Sequence, residues 1–121
     1  MIKQPYQRRV VNWLLACFGQ EIASDKAERS HRFVEEAIEL AQAQGMTLLE
    51  TIQLVTYVYG RPAGEPAQEV GGVMVTLAAL CQATGIDMEE AAEAELTRVW
   101  EKIDRIREKQ KAKPKFSVLP Q

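Results

Sequence analysis

The sequence predicts an all-α fold, a single bundle of about five helices. Apolar side chains recur at helical spacing in five segments, and capping residues precede three of these segments. No segment shows the alternation of a β-strand, and no internal repeat, P-loop or zinc motif is present. With 121 residues, the chain is long enough for one domain around one core. We expect residues 1–111 to form this domain and residues 112–121 to form an extended tail.

The first helix is predicted over residues 4–18. Pro5 is tolerated in the first turn, and Gly19 is a stop signal. The apolar stripe of this helix contains Trp13, whose flat ring suits stacking on a planar ligand such as a nucleobase. The alternative interpretation is that Trp13 fills the core, as most tryptophans do.

The second helix, over residues 25–44, begins with Asp25 and Glu28 at capping-box spacing and stops at Gly45. At about 100° per residue, its apolar side chains form a wide arc that should be buried in a bundle. Glu36 falls inside this arc, with Glu39 and Glu35 at its border. A carboxylate that faces a core is costly unless a cation neutralises it.

Two of these glutamates are spaced to share one cation. Residues at i and i+3 project from adjacent turns of one helix face, so Glu36 and Glu39 can place oxygens around a hard ion such as Mg²⁺. The alternative is that Glu35, Glu36 and Glu39 are all solvated surface residues. His31, the single histidine, is interpreted as a partly buried structural residue.

The third helix is predicted over residues 48–59, where Thr47 and Glu50 make a second capping box. Residues 60–66 contain two glycines and two prolines, which end this helix and delay the next. We expect this connection to be the most mobile internal segment.

The fourth helix, over residues 66–84, is predicted to be the most buried. From Val70 to Cys81 its only polar side chain is Thr76, so a bundle should cover it nearly all round, with a second subunit as a further candidate for the cover. Glu69 lies in the first turn, on the same stripe as Val73, and is therefore expected to face inward.

Two adjacent glycines interrupt the good helix formers of this segment. Gly71 and Gly72 each cost about 1 kcal/mol relative to alanine inside a helix. Either the helix begins after them, or another group approaches its backbone closely.

The fifth helix, over residues 87–111, is capped by Asp87 with Glu90 following. Residues 98–115 carry eight lysines or arginines and three acidic residues, although the net charge of the chain is −2. A basic segment in an otherwise acidic chain is expected where an anion is bound by a metal ion and by cationic side chains. The same composition is also expected of a helix that is simply soluble. The rest of the chain is acidic and carries no motif for reading bases, which argues against nucleic acid as a partner.

Composition predicts a cytoplasmic protein with no membrane contact. No apolar run reaches membrane-spanning length, and the first residues lack the apolar region of a signal peptide. Cys17 and Cys81 lie in unrelated apolar segments, without a second ligand at metal-binding spacing. We therefore expect both to be buried, reduced thiols.

Three motifs occur in a characteristic order. They are EEAIEL at residues 35–40, EVGG at residues 69–72 at the start of an apolar helix, and GID at residues 85–87 before a basic helix. Together with Trp13 upstream, this order resembles the MazG-like all-α nucleoside triphosphate pyrophosphohydrolases, and it looks similar to a small phage or prophage subgroup. The likeness covers residues 6–109 and implies a MazG-like helical bundle.

The resemblance implies hydrolysis of a nucleoside triphosphate between the α and β phosphates, giving a monophosphate and pyrophosphate. It implies Mg²⁺ as cofactor, with Mn²⁺ as a substitute, and Glu36, Glu39 and Glu69 as the catalytic metal ligands. The family's fourth carboxylate, an aspartate three residues after the position of Glu69, is Gly72 here. Because a two-metal site needs several carboxylates, the departure leaves three outcomes open: a one-metal enzyme, recruitment of Glu35, or binding without turnover.

The remaining roles implied by the resemblance concern the substrate. Trp13 would stack on the base, and Lys102 and Arg105 would hold the departing pyrophosphate. Arg61, in the connection of residues 60–66, is another candidate for a phosphate contact. Each cation has the alternative of being a solvated surface residue. We expect a homodimer or a dimer of dimers, and the alternative function is a non-catalytic nucleotide-binding or helical adaptor protein.

Overall fold

The computed structural model describes residues 3–113, and every regular element in this range is an α-helix. The all-α prediction is therefore confirmed. The predicted tail lies outside the described residues from position 114 onward, and Lys113 after the last helix is extended. The six helices are α1 (Tyr6–Ser24), α2 (Lys26–Ala43), α3 (Leu48–Tyr59), α4 (Pro66–Thr84), α5 (Met88–Glu101) and α6 (Ile103–Ala112).

The chain divides into two compact units, and both boundaries fall inside a helix. Unit 1 comprises Met1–Ala37 and Ala94–Gln121, and unit 2 comprises Ile38–Glu93. Unit 1 thus contains α1, α6 and one end each of α2 and α5. Unit 2 contains α3 and α4 with the other ends of α2 and α5.

The predicted caps are confirmed. The backbone N–H groups of Glu28 and Glu90 donate to Asp25 Oδ1 at 3.1 Å and to Asp87 Oδ1 at 2.9 Å. Thr47 and Glu50 form the reciprocal capping box at the start of α3. These contacts satisfy backbone N–H groups that the first turn of a helix leaves without a partner. The capping residues therefore mark the helix starts in the sequence.

Two helix limits differ from the predictions. Helix α1 continues past Gly19 to Ser24, with a kink at Gly19, where φ is +82°. The predicted fifth helix is two helices, because Lys102 leaves the helical conformation at φ −115° and ψ 24°. At this break the Val99 carbonyl accepts hydrogen bonds from the Trp13 indole at 3.1 Å and from the Lys102 N–H at 3.3 Å.

Arg107 joins α6 to α1 at the kink. Its Nε donates to the Cys17 carbonyl at 2.6 Å and its Nη2 donates to the Ala16 carbonyl at 2.7 Å. A kink frees carbonyls that the helix would otherwise use, and a guanidinium supplies two parallel donors for them. Cys17 itself is 2% exposed, and its Sγ lies 4.0 Å from the Ile103 carbonyl.

A buried polar contact joins α6 to α2. The Gln110 amide donates to the Glu28 carboxylate, and both side chains are buried. Arg32 also pairs with Glu28, at 3.3 Å. A buried carboxylate needs such partners, because an ion that loses its water without them is strongly destabilised.

Unit 2 has little cover of its own. Cys81 is buried on α4, as predicted for both cysteines, which are free thiols. The prediction that α4 is the most buried helix is wrong for the single chain, since almost all of its residues are exposed. The apolar arc of α2, which crosses both units, is also partly exposed, at Phe33 and Val34 in unit 1 and at Ile38 in unit 2. Apolar composition shows that a helix needs cover, and does not show that the same chain supplies it.

No single helix within residues 3–113 is long and apolar enough to span a membrane. Helices α4 and α5 meet the length and composition criterion only as a sharply bent pair.

The Arg107 contacts predict a stability effect in unit 1. Replacing Arg107 by alanine leaves the Ala16 and Cys17 carbonyls without their donors. We expect Arg107→Ala to lower the free energy of unfolding by about 1–3 kcal/mol, measured by urea denaturation followed by circular dichroism. Arg105→Ala, on the same helix, is the matched control and should change stability by less than about 0.5 kcal/mol. Equal effects of the two substitutions would show that the guanidinium contacts do not hold α6 to α1.

Candidate metal and nucleotide site

The two glutamates of α2 with metal-ligand spacing are exposed. Glu36 and Glu39 lie one turn apart on the same helix, and both are in contact with solvent. The expectation that Glu36 points into a core is therefore wrong for the single chain. Their carboxylates are accessible to a ligand, and their assignment as metal ligands stays a prediction.

Glu69 lies in the first turn of α4 and is also exposed, contrary to the inward orientation that its stripe predicted. Its side chain folds back over the preceding connection. A Cβ placed on Gly64 would lie 3.2 Å from Glu69 Cδ and Oε1, which is tighter than ordinary contact. The absence of a side chain at Gly64 thus lets the Glu69 carboxylate lie against the loop backbone. The adjacent Glu65 is used as the helix cap and accepts from the Gln68 N–H at 2.9 Å.

Glu35 is engaged by two cations. Lys113 Nζ lies 2.7 Å from Glu35 Oε1, and Arg32 Nη1 lies 3.2 Å from the same oxygen. The hydrogen bond from Lys113, with the charges of Lys113 and Arg32, holds the pKa of Glu35 below its usual value, although partial burial acts in the opposite direction. Glu35 therefore has a structural role between α2 and the end of α6. A metal ion that recruited it would compete with these two cations.

Arg98 is a cation near the acidic turn that the sequence reasoning missed. It forms a bidentate pair with Glu95, at 2.9 Å and 2.6 Å, and this pair raises the pKa of Arg98. The negative charge of Glu36 raises it further. Arg98 and Lys113 both belong to the basic segment of residues 98–115, so composition marked the segment, although it did not indicate which cations meet α2.

Lys102 and Arg105 line an open depression of about 380 Å³ at the break between α5 and α6. The other lining residues are Trp100, Glu101, Ile103 and Asp104. Lys102, whose backbone leaves the helical conformation, lies among the residues that line this depression. Its charge is mixed, since Glu101 and Asp104 stand beside the two cations.

Trp13 and Arg61 have aromatic or hydrogen-bonded neighbours. The indole of Trp13 donates to the Val99 carbonyl, and its ring meets Phe18 edge-to-face at 5.6 Å between centroids. Arg61 lies over the ring of Tyr57 at 4.6 Å, in unit 2. Trp13 thus connects α1 to α5 through this hydrogen bond, independently of any stacking of its ring on a base. His31 is half-buried, as predicted.

The structure does not gather the predicted ligands into one cluster. Within residues 3–113, no group of three or more histidine, cysteine, aspartate or glutamate side chains is close enough to hold a metal ion. Glu36 belongs to unit 1, whereas Glu39 and Glu69 belong to unit 2. The chemistry of the donors still fits a hard cation, because all three are accessible carboxylates.

The contacts of Glu35 predict an acid dependence of stability. A carboxylate with a lowered pKa stabilises the fold above its unfolded pKa, and the contribution is lost as pH falls through the folded pKa. We expect Glu35→Gln to cost less than about 1 kcal/mol at pH 7, because the pair is partly exposed. The difference from wild type should vanish between about pH 5 and pH 3. Urea denaturation across this range measures it.

Glu21→Gln, an exposed glutamate on α1, is the control for that experiment. Its difference from wild type should stay near zero at every pH. A Glu35→Gln difference that did not change with pH would mean that Lys113 and Arg32 do not pair with the ionised carboxylate.

Comparisons of the chain with protein-family models, with curated protein sequences and with solved structures found no match.

Proposed function

We propose that this chain is a Mg²⁺-dependent nucleoside triphosphate pyrophosphohydrolase of the cytoplasm, which cleaves between the α and β phosphates. The observation that carries the proposal is the acidic turn of α2. There, Glu36 and Glu39 present accessible carboxylates one turn apart, while Arg98 and Lys113 lie beside the turn. Carboxylates on this surface would hold a metal ion, and the neighbouring cations would hold the phosphates of a nucleotide.

The metal ligands in this proposal are Glu36, Glu39 and Glu69. Mg²⁺ is commonly held by one or two carboxylates, with phosphate and water oxygens completing its shell, so a small donor set suffices. When bound, the ion neutralises phosphate charge and lowers the pKa of a bound water. The open backbone at Gly64 lets the Glu69 carboxylate keep its position without a steric clash.

The phosphate contacts in this proposal are Lys102, Arg105 and Arg61. Lys102 and Arg105 line the open depression of unit 1, beside Glu101 and Asp104. Their role is to stabilise charge on the pyrophosphate as it leaves. Trp13 would stack on the base with its ring face, since its N–H is already used.

A second candidate function is nucleotide binding without turnover, by a binding or helical adaptor protein. The observation that favours it is the missing carboxylate at Gly72, together with the lack of a three-carboxylate cluster within residues 3–113. A site with too few negative charges holds a metal weakly and does not complete a two-metal centre.

The enzymatic proposal predicts metal-dependent release of pyrophosphate. The purified chain should release it from at least one member of a panel of canonical and modified nucleoside triphosphates with Mg²⁺ or Mn²⁺, and EDTA should abolish the release. Glu36→Gln and Glu39→Gln should each lower the rate at least about tenfold, since changes in groups that only support metal ligands already cost that much.

Glu21→Gln is the matched control for these substitutions and should retain wild-type activity. Full activity in both Glu36→Gln and Glu39→Gln would remove the metal assignment. A folded wild-type chain that binds nucleotide and releases no pyrophosphate would favour the second candidate.

The position of Gly72 offers a direct test between the two functions. A Cβ there meets no described atom within 4 Å, so the chain has room for a side chain. For the enzyme, Gly72→Asp should lower the Mg²⁺ concentration needed for half-maximal release at least about threefold, because it adds negative charge at the metal. Gly72→Asn has nearly the same shape without the charge and should behave like wild type. If only Gly72→Asp releases pyrophosphate, the natural chain binds without turnover.

A further inference from the structure

Helix α2 presents an apolar face to solvent within unit 1. Phe33 is 53% exposed, Val34 is 50% exposed, and Ala37 is exposed as well. At about 100° per residue, these three side chains fall within a sector of about 100° on the helical wheel. Apolar side chains that lie together in water are stabilised when another apolar group covers them. This face of α2 is therefore suited to a further contact.

The described residues end on the same helix. The Gln110 amide of α6 donates to the Glu28 carboxylate of α2, and Lys113 Nζ lies 2.7 Å from Glu35 Oε1. From Gln110 to Lys113 the contacts thus move toward the C-terminal end of α2. Lys113 is thereby held beside Glu35, which is the immediate neighbour of Val34 in α2.

The backbone of Lys113 ends α6 and starts an extended segment. Its φ is −73° and its ψ is 150°, and the next residue is Pro114, which disfavours the helical conformation for the residue before it. An extended chain spans about 3.3 Å per residue, so residues 114–119 can span about 20 Å. A helix with its side chains is only about 10–12 Å across. The apolar face of α2 is therefore within reach of these residues.

The composition of residues 114–121, PKFSVLPQ, matches this face. Phe116 and Val118 alternate with polar residues, and side chains at i and i+2 project to the same side of an extended chain. Lys115 is the single charged residue of the segment, and its charge is opposite to that of Glu35. The segment can thus offer an apolar side to α2 without repulsion from the carboxylate beside which it starts.

We propose that residues 114–119 form a strap that lies on α2, with Phe116 and Val118 covering the face of Phe33 and Val34. The contact between Lys113 and Glu35 holds the start of the strap beside this face. A tethered segment has a high effective concentration at a site within its reach, so a modest apolar contact suffices to keep it bound. The strap would also keep Lys113 paired with Glu35. The inference does not depend on the proposed function.

Alkylation of a thiol at position 34 tests the contact in the full chain. In Val34→Cys the strap should shield the new thiol from iodoacetamide. Adding Phe116→Ser and Val118→Ser should accelerate alkylation at this position at least about tenfold, because the local cover is lost. Both native cysteines are buried, and mass spectrometry assigns the modified position. An equal rate with and without the two serines would overturn the proposal.

Val11→Cys is the matched control for this measurement. Val11 is an exposed valine of α1 in the same unit. Its thiol should react at the same rate with and without Phe116→Ser and Val118→Ser. An acceleration at position 11 equal to that at position 34 would mean that the serines loosen the whole unit, and it would overturn the assigned face.

Disulfide trapping shows which chain supplies the strap. The pair Val34→Cys and Val118→Cys should form a disulfide within one chain in oxidising buffer, since a disulfide needs Cα atoms within about 7 Å of each other. The pair Val11→Cys and Val118→Cys is the control and should remain reduced. A covalent dimer on a non-reducing gel would show that the segment crosses to a second copy. That result, or the absence of any disulfide, would overturn the proposal.

Hydrogen exchange gives a further measurement that needs no new thiol. In the chain with Phe116→Ser and Val118→Ser, the amides of α2 around Val34 should exchange faster than in wild type, because fewer contacts oppose local opening. The amides of α3 serve as the internal reference and should not respond. Unchanged exchange throughout α2 would overturn the proposal.

Discussion

Apolar surface left in water is unfavourable by about 25 cal/mol per Å², and this constraint governs unit 2. Its helices α3 and α4 carry one charged residue each and are exposed on almost every face. Their helical conformation is secured locally by the capping box of Thr47 and by the Glu65 cap. Local caps do not remove apolar area from water, so most of the stability of these helices has to come from packing of their apolar faces.

In unit 1, side chains far away in the sequence donate hydrogen bonds to backbone carbonyls at the breaks in the helices. The Gly19 kink frees carbonyls of α1, and Arg107 from α6 donates to them. At the Lys102 break, the Val99 carbonyl accepts from Trp13 of α1. Each irregularity is thus matched by a donor from another helix of unit 1.

The sequence predicted what short-range chemistry decides. Caps at Asp25, Thr47 and Asp87 are legible because donor and acceptor lie within one turn of each other. The Lys102 break was missed because its partner Trp13 is 86 positions away from the Val99 carbonyl and no glycine or proline marks the place. In the candidate site, the glutamates were found by their spacing. Their exposure was not predicted, because apolar neighbours on a helical wheel show which face needs to be buried and do not show which group buries it. The pairing of Glu35 with Lys113 spans 78 positions and left no local sign.

Exposure decides how strongly the candidate site needs a cation. Glu69 is in contact with solvent, and a hydrated carboxylate has little need of a counter-ion. A charge that is taken out of water is costly unless it is neutralised, because charges interact more strongly where water is excluded. Any group that covered the first turn of α4 would therefore strengthen the binding of a divalent cation by this glutamate, and the carboxylate that the sequence predicts to face inward would do so only when α4 is covered.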